Sequence, residues 1–260
     1  DDRLAMVTPL MRRGDWLFQT NSFHEARDTY RQVVRIIESE RGKKDLSLIE
    51  PLIKLGSTYL YVDTTGAQPL AGTPTATGES YYKRAVRIAE SAPATDWARL
   101  AKTRVALGDF YTISGDYNSA RSSYREAWDL VSEDPPRHEL RAKLFGDAFP
   151  LTKMWIPSQS VRSSDVRGLG DDDDLLQGSV TATYIINHRG RVTKLRVDDL
   201  DPPEFAEMTE HVTRELRKRV FRPRLDETGP VATPSQVFTH QFQYRQAELD
   251  LLRTRKADDD

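Results

Sequence analysis

The residue types that most often do chemistry are sparse in this chain, and their spacing does not suit it. Five histidines, His24, His138, His188, His211 and His240, are scattered so that none meets another at i, i+4, the spacing of a helical zinc site. They read as surface or strand histidines. There is no cysteine, which removes disulfides, thiolate metal ligands and cysteine nucleophiles together and suits an oxidising or a reducing compartment equally. No Gly-x-Ser-x-Gly elbow, Walker loop or His-Glu-x-x-His occurs, and Gly168-Leu169-Gly170 alone makes no nucleotide loop. Asp171 to Asp174 is a run of four carboxylates. A calcium loop would alternate ligands with spacers and add a glycine and a distal glutamate, so a solvated charged linker is expected there. The expectation is a protein that is no enzyme, with no catalytic residue, no cofactor and no metal. What remains is recognition by surface groups.

One charged cluster stands out: Arg214, Arg217, Lys218, Arg219, Arg222 and Arg224 surround a helix end. Interaction with the helix dipole and solvation account for part of it, and contact with an acidic partner or a cell-wall polymer is the sharper alternative. The whole chain is not basic, with 38 Lys and Arg against 40 Asp and Glu and a formal charge of −2, which argues against a nucleic-acid partner. With 38% hydrophobic residues and 30% charged, its 260 residues suffice for two folded domains. No apolar run approaches the ~20 residues of a membrane helix. The chain opens at Asp1-Asp2 without methionine or an apolar leader, and is expected to be a trimmed or mature form whose signal or anchor has gone.

The elements that must position any recognition surface begin with a repeat. Leu107-Gly108, Tyr111, Gly115, Ala120, Tyr124 and Ala127 have the spacing of a helical hairpin, in which small Gly108 and Ala120 let two helices approach and the large rings fill the groove between repeats. A second copy runs through Gly14, Leu17, Phe23, Ala26, Tyr30 and Val33, and a third opens with Leu55-Gly56 and Tyr59 and closes with Tyr82 and Ala85. The third holds about ten extra residues in a Thr/Gly/Pro-rich stretch, 64–78, expected to be a surface loop. Residues 137–145 are expected to form a capping helix. These copies resemble the tetratricopeptide repeat. That resemblance implies a concave surface lined by first-helix residues: Met11, Asp15 and Phe18, then Ile53, Ser57 and Leu60, then Val105, Asp109 and Thr112. The set is apolar and acidic, without the Lys and Asn pairs that clamp a carboxyl terminus in some repeat domains, so a basic or apolar partner segment suits it.

Pro135-Pro136, Pro150 and Pro157 interrupt helices, and the apolar island Met154-Trp155-Ile156 is expected to dock on one of the two domains. From Gly178 the period changes to two: Val180, Ala182, Tyr184 and Ile186 alternate with Thr181, Thr183 and Ile185, and Asn187 to Gly190 is a hairpin turn. Val192, Leu195 and Val197 continue a second strand. After Pro202-Pro203, the steps of Phe205, Met208, Val212, Leu216 and Val220 predict an amphipathic helix. A last strand carries Phe238, His240, Phe242 and Tyr244 on one face.

Gly178-Ser179-Val180, Gly190-Arg191-Val192, Phe221-Arg222-Pro223, Gly229-Pro230-Val231 and Phe238 to Phe242, in that order, resemble the C-terminal domain of TonB-family energy transducers. The expected fold class is therefore α+β in two domains: an all-α helical solenoid of tetratricopeptide type over 1–149, a linker over 150–177, a small ββαβ domain with an antiparallel sheet over 178–246, and a charged tail over 247–260. The resemblance implies work in the periplasm of a Gram-negative bacterium, linked to TonB-type outer-membrane transport, in which an extended peptide of a partner pairs with the last strand. The residues expected to receive it are Gln236, Val237, Phe238, Thr239, Gln241 and Gln243. The alternative is a cell-envelope scaffold without energy transduction, whose small domain serves dimerisation or cell-wall contact.

Overall fold

The structure, a computed structural model, describes residues 3–61, 76–93, 96–160 and 175–259. In chain order the helices α1 (Val7–Gln19), α2 (Phe23–Arg41), α3 (Ile49–Ser57), α4 (Ala76–Glu90), α5 (Trp97–Ser114), α6 (Tyr117–Leu130) and α7 (His138–Phe145) come first. Strands β1 (Phe149–Pro150), β2 (Leu175–Ile186) and β3 (Val192–Asp201), helix α8 (Ala206–Lys218), strands β4 (Phe221–Arg222), β5 (Arg224–Asp226), β6 (Gly229–Val231) and β7 (Gln236–Arg245), and helix α9 (Gln246–Asp259) follow. The molecule is α+β, with a helical N-terminal part and antiparallel sheets in the C-terminal part. It divides into two compact units: residues 1–147 with 224–230, and residues 148–223 with 231–260.

In the first unit α1 packs on α2, α3 on α4 and α5 on α6. Apolar residues recur at helical steps: Leu10 and Leu17 on α1, Ala26, Tyr30, Val33 and Ile37 on α2, Leu52 and Leu55 on α3, and Ala85, Ile88 and Ala89 on α4 all enter one core. The hairpins close tightly because Gly14, Gly56 and Gly108 each lie under a tyrosine ring of the following helix, Tyr30, Tyr82 and Tyr124. A Cβ on Gly56 would sit 2.7 Å from the Tyr82 ring. Gly115, left-handed at φ 86°, ends α5, and the Asp116 carboxylate accepts from Ser119 N at 3.1 Å to start α6. Most of the 64–78 insertion lies outside the described residues; Thr77 and Gly78 stand in the first turn of α4, so the helix begins earlier than the Thr/Gly content suggests.

In the second unit the main sheet has the order β3-β2-β7, antiparallel throughout. One face is covered by α8: Phe205, Met208, Val212 and Leu216 pack on Val180, Ala182, Tyr184, Phe242 and Tyr244. The turn between β2 and β3 is fixed by Asn187, whose Oδ1 accepts from Arg189 N and Arg191 N, with Gly190 at φ 72°. Met154 and Ile156 join this core, while Trp155 between them is 74% exposed.

Three features differ from the sequence reading. Residues 150–160, expected in a linker, and Phe149, expected to end the helical domain, pair with the second unit: β1 with β4, and Gln159 beside Gln243. Strand β2 begins at Leu175 rather than Gly178, because Leu175, Leu176 and Gln177 continue the β7 ladder opposite Arg245, Tyr244 and Gln243. The expected charged tail is instead α9, anchored by buried Leu249 and by Glu248, which caps its start. The Asp171 to Asp174 run and Gly168 to Gly170 lie outside the described residues.

Candidate functional site

The second unit presents two sheet edges, and they differ. Strand β3, on one side, is irregular: its pairing with β2 shifts register between Thr181 and Ala182 and between Thr183 and Ile185, and Lys194 takes φ 50°. It also carries Asp198, Asp199 and Asp201. Bulges and charge are the devices that keep a foreign strand away.

Strand β7, on the other side, pairs with β2 over ten consecutive positions without a shift and has no charged residue from Gln236 to Tyr244. Its backbone parity is set at one end. Gln243 N donates to Ser158 O at 2.8 Å and Gln243 O accepts from Ser160 N at 2.9 Å, so both main-chain groups of Gln243 point away from β2. In a regular antiparallel ladder every second residue shares that direction. Val237, Thr239 and Gln241 therefore turn their N–H and C=O outward, and among the described residues no backbone group meets them.

The segment 157–160 is tied where it stands. Ser160, 2% exposed, donates its hydroxyl to Glu248 Oε2 at 2.8 Å, and the same oxygen accepts from Arg245 N at 3.0 Å in a capping-box arrangement at the start of α9. His240 Nε2 donates to Pro157 O at 2.8 Å.

Of the six residues expected to receive a partner, Gln243 is a correction: its edge positions are filled by the chain itself. Gln236 and Phe238 turn their main chain toward β2 opposite Tyr184 and Ala182, and Phe238 packs with the α8-facing core. Val237, 70% exposed, Thr239 and Gln241 are the ones left facing outward. Thr239 Oγ1 lies 3.1 Å from Thr181 Oγ1 across the open face of the sheet.

The first-helix residues of the helical unit form a bonded floor rather than a free lining. Asp15 accepts from Tyr30 OH at 2.7 Å and from Lys54 Nζ at 2.5 Å. Asp109 accepts from Tyr124 OH at 2.8 Å, and Thr112 Oγ1 lies 2.9 Å from the same hydroxyl. Burial, and then the Asp15 carboxylate, push the Tyr30 phenol well above its ordinary value. Tyr111 donates to Glu79 at 2.6 Å; burial first and this carboxylate second raise it, while Lys83 and then Tyr111 hold Glu79 below the usual carboxylate range.

Val105, Leu60 and Thr112 are buried, which corrects their expected place in the lining: they pack between helices and cannot touch a partner. Met11 and Ile53 are half-buried against the core, Phe18 stands edge-on to Phe23 and Tyr61, and Ser57 Oγ donates to Lys54 O at 2.7 Å. The tyrosines, which their spacing predicts only as space-filling rings, also bond to carboxylates through their hydroxyls. The signal was present, since Gly-Asp precedes tyrosine by the same interval in Gly14-Asp15…Tyr30 and Gly108-Asp109…Tyr124.

The basic cluster does not act as one. Arg214, Arg217 and Lys218 lie exposed on α8, Arg219 lies over the Phe221 ring at 5.1 Å, and Arg222 is buried over Phe149 at 5.2 Å. Among the described residues no group of three or more His, Asp or Glu side chains is placed to hold a metal, and no helix is long and apolar enough to cross a membrane.

Residues 101–130, from the second turn of α5 to the end of α6, match the family model described as Tetratricopeptide repeat. No curated protein matches the chain. With the helical region around it, the match supports a tetratricopeptide-repeat reading of this hairpin, a module that points to protein partners and a scaffolding role.

Proposed function

We propose that this chain is a non-catalytic adaptor of the Gram-negative periplasm: its helical hairpins form a short solenoid that holds one protein, and its TonB-like domain pairs an extended peptide of another along β7. The observation that carries the reading is the β7 edge, with the outward main chain of Val237, Thr239 and Gln241, no charge, and a regular ladder behind it. An edge of this kind is what β-augmentation uses, main-chain hydrogen bonds giving affinity and alternate side chains giving choice. The compartment and the link to outer-membrane transport rest on the resemblance of residues 178–244 to TonB C-terminal domains.

A photo-reactive residue placed at Val237 or at Arg196, on the opposite edge, tests this in the periplasm of a Gram-negative host. Cross-links from position 237 to an outer-membrane transporter, absent from 196 and lost with Thr239→Pro, are the expected result. Cross-links from 237 only to a second copy of the chain would make the edge a dimer contact and end the adaptor reading.

A further inference from the structure

In the helical unit, the ends of α2 and α4 border a cleft of about 680 Å³ lined by Glu38, Lys43, Lys44, Arg84, Arg87 and Glu90. Gly42, at φ 90°, turns the chain after α2 and sets Lys43 and Lys44 on its rim. The two carboxylates are already committed. Glu38 Oε1 pairs with Arg84 Nη2 at 2.5 Å, the same guanidinium donates to Lys43 O at 3.0 Å, and Glu90 Oε1 accepts from Arg104 Nη2 at 2.7 Å. Lys43, Lys44 and Arg87 are exposed and meet no carboxylate among the described residues.

The result is a concave site with three uncompensated cations on a chain whose overall formal charge is −2. Fields concentrate in such clefts and raise the local concentration of the opposite charge. The helix dipoles favour cations at these helix ends but do not require a cleft between them.

We propose that this cleft is a second protein-docking site, which takes an acidic, extended peptide segment of a partner. Acidic side chains spaced along a peptide can reach Lys43, Lys44 and Arg87 one by one and pass the positions of Glu38 and Glu90, whereas a dense polyanion meets those two carboxylates head-on.

The test uses the full chain and a fluorescent twelve-residue peptide of alternating Glu and Ser, with its Gln/Ser counterpart and inorganic polyphosphate as comparisons. Expected are saturable binding of the Glu peptide that weakens as salt rises, no binding of the Gln peptide, and a loss of about tenfold in K43Q/K44Q/R87Q, each exposed pair supplying roughly a factor of two to three. K43E/K44E/R87E should lose more. Both variants should keep the parent melting temperature, because none of the three side chains holds the fold. R214Q/R217Q/K218Q, on α8, should bind the peptide as the parent does. The proposal is overturned if the triple cleft variant binds equally, if the α8 variant loses as much, or if polyphosphate binds more tightly than the peptide. A cleft variant that changes the mass of the chain in solution without peptide would assign the cleft to a second copy, and overturns it too.

Discussion

Gly108 and Tyr124 show how one residue pair can close a helical hairpin. The glycine leaves room for the ring, and the ring's hydroxyl reaches Asp109 on the same helix as the glycine. Gly108→Ala gains helix propensity of about 1 kcal/mol, but its Cβ would sit 2.4 Å from the Tyr124 ring, which is buried and bonded through its hydroxyl. Overpacking of this sort costs ~1–3 kcal/mol, so the expected outcome is a lower melting temperature. Tyr124→Phe, which keeps the ring and loses the bond to a carboxylate, should cost about 1.5–3 kcal/mol; an unchanged melt would show that the hydroxyl contributes nothing.

The same tyrosines set an alkaline limit. Tyr30, Tyr82 and Tyr111 are all raised above 10.0, by burial first, and then by Asp15, Asp109 and Glu79 respectively. Below that value both folded and unfolded chains keep these phenols protonated, so their contribution to stability is level. Above it the unfolded chain loses protons that the native state retains, and stability falls as pH rises. Denaturant titrations from pH 8 to 11 should show a fall beginning near pH 10, made shallower by Tyr30→Phe. A curve that the substitution leaves unaltered would contradict the assignment.

At the scale of elements, α9 and the segment 157–160 depend on each other through one carboxylate. Glu248 Oε2 accepts from Ser160 Oγ and from Arg245 N, so Glu248→Ala removes a cap and a tether together. Loss of a cap costs ~1 kcal/mol. Amide exchange at Ser160 and Gln243 should accelerate at least tenfold in that variant, while amides in the centre of β2 stay as slow as before. Equal acceleration across the sheet would mean that Glu248 supports the whole domain instead.

These elements also show what could be read in the sequence. The alternation of Val180, Ala182, Tyr184 and Ile186 and the three-and-four steps of Met208, Val212 and Leu216 are local patterns, and both elements stand where those patterns place them. The α9 helix was hidden because charged residues dominate the sequence over 247–260; Glu248 and Leu249 are buried there, and Leu252 packs on the same core. The pairing of Gln159 with Gln243 joins residues far apart in sequence, and no periodicity records such a contact. Burial of Val105, Leu60 and Thr112 escaped for the same reason: repeat spacing assigns a face, but packing against the next helix decides whether the face is open.

At the scale of the molecule, the proposed function divides recognition between side chains in one unit and main chain in the other. The helical unit offers charged and half-buried side chains, among them the basic cleft near Lys43. The sheet unit offers backbone: three residues whose N–H and C=O groups face outward on an uncharged edge, next to an end that the chain fills for itself. The proposed pairing requires that edge to be open. Residue-resolved amide exchange along β7, in a dilute sample of confirmed monomeric mass, measures it directly. Alternation is expected, with Val237, Thr239 and Gln241 exchanging fast while Phe238, His240 and Phe242, bonded to β2, and Gln243, bonded to Ser158, exchange slowly. Slow exchange at Val237, Thr239 and Gln241 in the dilute monomer would mean the edge is already occupied and would contradict the proposed pairing.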